Sequence, residues 1–129
     1  MSFDYKPYLK SLGEFMAEHG YTVKPFPKII LDNTSQEGVF VYTGYFDPDS
    51  NGIRLFINGR HPKDVLRTFA HELIHWKQQR EGVIEKSGYS SDKITEDKNL
   101  IGLEKEAYLK GNIAFRSWTE TEQKKGELK

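Results

Sequence analysis

Apolar residues recur at helical spacing near the start of the chain. Tyr5, Tyr8, Leu9, Leu12, Phe15 and Met16 share one face, and Gly20 offers a stop just after His19. The pattern predicts an amphipathic helix, with His19 a surface residue near its C-terminal end. Pro25 and Pro27 break the chain, and the period then shortens to that of strands. Ile29, Ile30 and Leu31 predict a short buried strand. Residues 39–42 and the following Tyr45 and Phe46 predict a second, bent at Gly44. Residues 53–57 predict a third, with Ile53, Leu55 and Ile57 on one face and Arg54 and Phe56 on the other.

Between the last two strands stands Asp47-Pro48-Asp49-Ser50-Asn51-Gly52, which imitates the start of a calcium loop. Asn58 sits where a bidentate glutamate belongs, and a strand follows instead of a helix, so a polar hairpin turn is the better reading. Pro62 suits the first turn of a second helix. Val65, Leu66, Phe69, Leu73 and Trp76 gather on one of its faces and Thr68, His71, His75 and Gln78 on another, and Gly82 closes it. Residues 83–98 are mostly polar and read as a mobile loop. A last helix is expected from Asp97 or Asn99 to about Trp118, followed by a frayed polar tail over residues 119–129. Strands grouped between helices make this an α+β chain of one domain, residues 1–129, with no internal repeat.

Composition narrows the function. The 129 residues suffice for one modest core, and 29% charged against 36% hydrophobic residues describes a globular chain. Nineteen Lys and Arg balance nineteen Asp and Glu, which argues against nucleic acid as a partner, because phosphate binding draws on a basic excess. No recognisable DNA-binding motif adds to it. The chain has no cysteine, so disulfides and a cysteine-ligated metal are excluded. The N-terminus has no apolar signal core and no run reaches membrane-spanning length, so the expectation is a cytoplasmic protein, unless another route exports it.

The chemistry concentrates in His71-Glu72-Leu73-Ile74-His75, an H-E-x-x-H sequence. Two histidines four apart on a helix lie one turn from each other, so both rings reach one ion from the same side. Zinc suits neutral imidazoles held in that way, and Glu72 beside them can serve as base towards a metal-activated water. A catalytic zinc takes three protein ligands. No histidine follows His75, so the third is expected to be a carboxylate. Projected as a helix, Leu100, Leu103, Ala107, Gly111, Ala114, Phe115 and Trp118 form an apolar stripe with Glu104 at its centre. Glu106 falls on the polar side with Lys110. A carboxylate on a buried stripe needs a counter-charge, which zinc supplies, and the small Ala107 and Gly111 let the two helices approach. Glu106, Asp92 and Asp97 are the rivals.

His71-Glu72-Leu73-Ile74-His75 on one helix and Glu104-Lys105-Glu106-Ala107-Tyr108 on a later one resemble the gluzincin metallopeptidases. Their later helix carries the ligand glutamate in an E-x-x-A or E-x-x-S sequence followed by Asp or Asn. Glu104 and Ala107 match; Tyr108 stands where that family has a residue supporting a ligand histidine. The resemblance covers residues 29–118, and the small size resembles minimal gluzincins and short phage- or bacterium-encoded peptidases. It implies a zincin-like fold, with a small sheet of about three strands over the active-site helix and an edge strand pairing with an extended protein or peptide substrate. Residues 53–57, with Arg54 and Phe56, are the candidate edge, since they directly precede the zinc helix. It implies a hydrolase with one zinc ion held by His71, His75 and Glu104, Glu72 as general base, and an oxyanion donor among Tyr89, Tyr108, Arg116 and His61. The alternative is a catalytically weak zincin-like module that binds protein segments around a structural zinc.

Overall fold

The computed structural model describes residues 4–34, 43–47, 52–81 and 98–125. Helix α1 (Lys6–Glu18) buries Leu9, Leu12 and Met16 and has a proline in its first turn. It stops as expected at Gly20, whose φ of 78° is the left-handed conformation that favours glycine. The N–H of Tyr21 donates back to the Met16 carbonyl at 2.8 Å and closes the end. The next segment is strapped across the second helix: Thr22 Oγ1 donates to the Leu73 carbonyl, and Trp76 Nε1 donates to that of Pro25.

Strands β1 (Lys28–Asp32), β2 (Gly44–Asp47) and β3 (Gly52–Phe56) form one mixed sheet in the order β1-β3-β2. β3 pairs parallel with β1, Ile29 opposite Ile53, and antiparallel with β2, Phe46 opposite Ile53. This corrects the expectation of an edge at residues 53–57. β3 is the central strand, with Ile53 and Leu55 fully buried, and β2 forms one edge of the sheet among the described residues. Adjacency to a helix in sequence does not decide strand order; pairing partners on both sides do. Arg54 is engaged by Asp32 at 2.8 Å and by the Tyr45 hydroxyl at 3.1 Å, and the Phe56 ring lies 6.2 Å from that of Tyr45. Gly44 begins β2, and the expected strand residues 39–42 lie outside the described residues. Asp47 pairs with Gly52, in keeping with a hairpin; residues 48–51 of its turn also lie outside.

Helix α2 (Pro62–Arg80) starts at the expected proline, with His61 as its N-cap. It packs against α1, β2, β3 and helix α3 (Lys98–Lys125). Being surrounded, it buries Ala70, Ile74, His75 and Gln78 as well as its apolar face. Helix α3 buries Ala107, Ala114, Phe115 and Trp118, as its stripe predicts. It does not stop at Trp118 but continues to Lys125, so residues 119–125 are helical rather than frayed. The reason is tertiary. Glu122 is buried against α1, where Ser11 Oγ donates to it at 3.1 Å and accepts from Trp118 Nε1 at 3.0 Å. Gly82 and residues 83–97 of the expected loop lie outside the described residues, and Lys98, expected in that loop, is helical in α3. Among the described residues, no helix is long and apolar enough to cross a membrane.

The α2–α3 seam is tightest where it matters. A Cβ added at Gly111 would lie 3.0 Å from His71 Cα and 3.1 Å from His71 N. Those are backbone atoms of a buried helix and cannot swing aside. Gly111→Ala gains about 1 kcal/mol of helix propensity, but overpacking costs about 1–3 kcal/mol. A net loss of roughly 1 kcal/mol is expected in urea unfolding; a stabilised variant would contradict the close approach.

Candidate metal centre

One turn of α2 sets the His71 and His75 rings 4.8 Å apart and nearly perpendicular, and Glu104 faces them from α3. The Glu104 carboxylate bridges the pair: one oxygen is 2.7 Å from His71 Nε2, the other 3.0 Å from His75 Nε2. The three ligand atoms lie within 4.8 Å of one another. Tetrahedral zinc ligands, about 2.0–2.1 Å from the ion, stand roughly 3.4 Å apart. An ion in place of the bridging protons therefore asks the carboxylate oxygen nearest His71 to retreat by about 0.7 Å. The His71, His75 and Glu104 group can hold a metal ion.

The electrostatics follow from packing. Burial alone would raise the Glu104 carboxyl, but the hydrogen bonds from His71 and His75 outweigh it and hold the group well below the usual carboxylate range. Burial alone would lower the His75 imidazole; the hydrogen bond to Glu104 and the charges of Glu72 and Glu104 outweigh it, and its pKa is raised. For Glu72 burial wins: its carboxyl is pushed up, against the nearby imidazoles and the Phe46 backbone N–H that it accepts.

No family model, curated protein or solved structure matches the chain.

The centre opens into a cleft of about 450 Å³ between β2 on one side and α2 and α3 on the other. Of the three candidate oxyanion donors among the described residues, Tyr108 is the one that lines this cleft. Its ring packs 4.4 Å from that of His71, more than half exposed. His61 caps α2 ten residues before His71, about 15 Å of helix away. Arg116 pairs with Glu120 three turns beyond Glu104. Tyr89, like Asp92 and Asp97, lies outside the described residues. Glu106 is not among the three ligands: it accepts from Gln78 and Lys110.

Gln78 is the residue that sequence reasoning underrated. Its amide N–H groups donate to the Leu103 carbonyl at 3.0 Å and to Glu106 at 2.9 Å. Its oxygen therefore faces His75 Nδ1 at 2.8 Å, so that nitrogen carries the proton and leaves Nε2 as the ligand atom. The same side chain ties α2 to the residue before Glu104. The available signal was its spacing, three after His75 on the histidine face. His71 has no equivalent support: its Nδ1 is buried without a hydrogen-bond partner among the described residues. Gln78→Leu is expected to weaken metal affinity by about 10–100-fold, the usual cost of losing an outer partner. Competition against a chelator measures it, and unchanged affinity would remove this role from Gln78.

Proposed function

We propose that the chain is a zinc-dependent peptidase with a gluzincin-like site on a zincin-like fold. The observation that carries this reading is the buried Glu72 carboxylate beside the His71–His75–Glu104 set, on the floor of a cleft bordered by a strand edge. A scaffold for a structural ion has no use for that carboxylate and loses stability by burying it. Bound zinc supplies Lewis acidity, lowering the pKa of a coordinated water and polarising a carbonyl. Glu72 would take the water's proton at its carboxylate and return it to the leaving amine nitrogen.

The edge suited to substrate is β2, not β3. The Phe56 N–H donates to the Thr43 carbonyl, which marks that pair as hydrogen-bonded. By antiparallel alternation, the backbone groups of Gly44 and Phe46 point away from β3, and Phe46 N–H already reaches Glu72. An extended peptide can pair with the remaining groups and lie across the centre. Of the described oxyanion candidates, Tyr108 lines this cleft and would donate its hydroxyl there. The unsupported His71 Nδ1 favours a second reading, a catalytically weak module that holds protein segments around zinc.

Zinc content of the purified protein, with hydrolysis of an unfolded protein and of a random peptide pool, tests the proposal. About one equivalent of zinc and hydrolysis abolished by chelator are expected, the pattern of a catalytic zinc site. Zinc without hydrolysis would select the binding module. No zinc after refilling would reject both.

A further inference from the structure

The cleft does not end at the metal ligands. Arg67 and Asn112 line it and also line a second cavity of about 510 Å³, so the two form one trough along the α2–α3 seam towards the start of α2. Its charge is one-sided. Glu72 and Glu104 belong to the centre itself. Beyond them the second cavity is lined by Lys63, Arg67 and Arg116 against Glu120 alone.

Arg67 stands at the junction, one turn before His71 on the same side of α2. Its guanidinium lies over the Phe115 ring, 5.3 Å from the centroid. Its partner Asp64 is 3.3 Å away, and both side chains are more than half exposed. Such a pair contributes little and exchanges readily for a better-placed carboxylate. A planar guanidinium binds a carboxylate by donating two parallel hydrogen bonds.

The direction of β2 brings this group within reach of a bound strand. Phe46, by Glu72, marks the catalytic end, while Gly44 abuts Thr68, next to Arg67. From His71 back to Arg67 is about 6 Å along the helix, or two residues of extended peptide at roughly 3.3 Å each.

We infer that the Arg67 end of the trough is a carboxylate-binding subsite, selecting peptides with a carboxylate one or two residues from the scissile bond on that side. The carboxylate is an Asp or Glu side chain or the peptide's own C-terminus. The inference rests on the peptidase proposal for its substrate, but the preference is a property of binding and is measured without hydrolysis.

The test uses the full chain as Glu72→Gln, loaded with zinc, and fluorescence anisotropy of labelled alanine-based peptides. Glu, Ala or Lys occupies each position in turn, with the C-terminus amidated or free. A carboxylate peptide is expected to bind about tenfold tighter than its neutral counterpart, the scale of one charge-assisted hydrogen bond in an accessible site. Adding Arg67→Gln, which keeps the stem on Phe115, should cancel that preference, and adding Arg67→Glu should reverse it towards Lys. Preference within amidated peptides assigns the side chain; preference confined to free C-termini assigns the terminal carboxylate. Equal binding of all three series, no binding, or a preference that survives both Arg67 variants overturns the subsite. A carboxylate preference without hydrolysis by the wild type would keep the subsite and remove the peptidase; hydrolysis without preference would do the reverse.

Discussion

Replacing Glu72 by glutamine is expected to slow peptide hydrolysis by about 10²–10⁴-fold, the range of a positioned general base, with zinc content unchanged. Glutamine keeps the shape and can still accept from the Phe46 N–H, but it takes no proton from water. Activity within a few-fold of wild type would remove Glu72 from the chemistry. The same substitution has a stability signature. Burial raises the Glu72 carboxyl above its ordinary value. A carboxyl raised in the folded state stabilises the fold fully below its unfolded pKa and loses that contribution as pH rises through the folded value. The metal-free wild type loses it as pH rises through that folded value, whereas glutamine never ionises. Metal-free Glu72→Gln should therefore gain in melting midpoint on metal-free wild type as pH rises, and the gain should close as the solution is acidified and the wild-type carboxyl takes its proton. Melting midpoints across pH in chelator check this, and a wild type that gains on the variant as pH rises would contradict it.

Glu104→Ala should abolish stoichiometric zinc binding. It removes one of three ligands, so the loss should exceed the roughly 10–100-fold that an outer partner such as Gln78 costs. It also strips both histidine Nε2 atoms of the carboxylate they share, one of them on a fully buried ring. Glu106→Ala is the control: Glu106 touches the centre only through Gln78, so zinc should be retained with a modest loss of affinity. Elemental mass spectrometry of the two variants decides. Zinc lost from Glu106→Ala and kept in Glu104→Ala would overturn the ligand assignment.

The site was legible to the degree that it is local. His71, Glu72 and His75 follow from spacing on one helix, and helical projection alone brings Glu104 to the face that meets them. Ala107 and Gly111 signalled close approach, and the Gly111 contact with the His71 backbone bears that out. What escaped is non-local. β3 alternates in sequence as an edge strand would, and only its two partners reveal it as central. The last turns of α3 read as a polar tail because nothing local says that Glu122 finds Ser11, more than a hundred residues earlier. Gln78 was visible on the histidine face, but its importance lies in bonds to Leu103 and Glu106 across the seam. Arg67 gave no signal, since one arginine on a helix is ordinary until Phe115 is beneath it.

The outward backbone groups of β2 carry a hazard as well as a use. A strand edge left open is a template on which other chains stack, the route to sheet aggregation. Here β2 has only four residues, and the opposite wall of its cleft is helix α3. A chain that lies along β2 has its far side turned to Glu104, Tyr108 and Asn112 rather than to solvent. On the peptidase proposal one strand would join the sheet there, and the helix would block the next, so growth would stop at a single added chain.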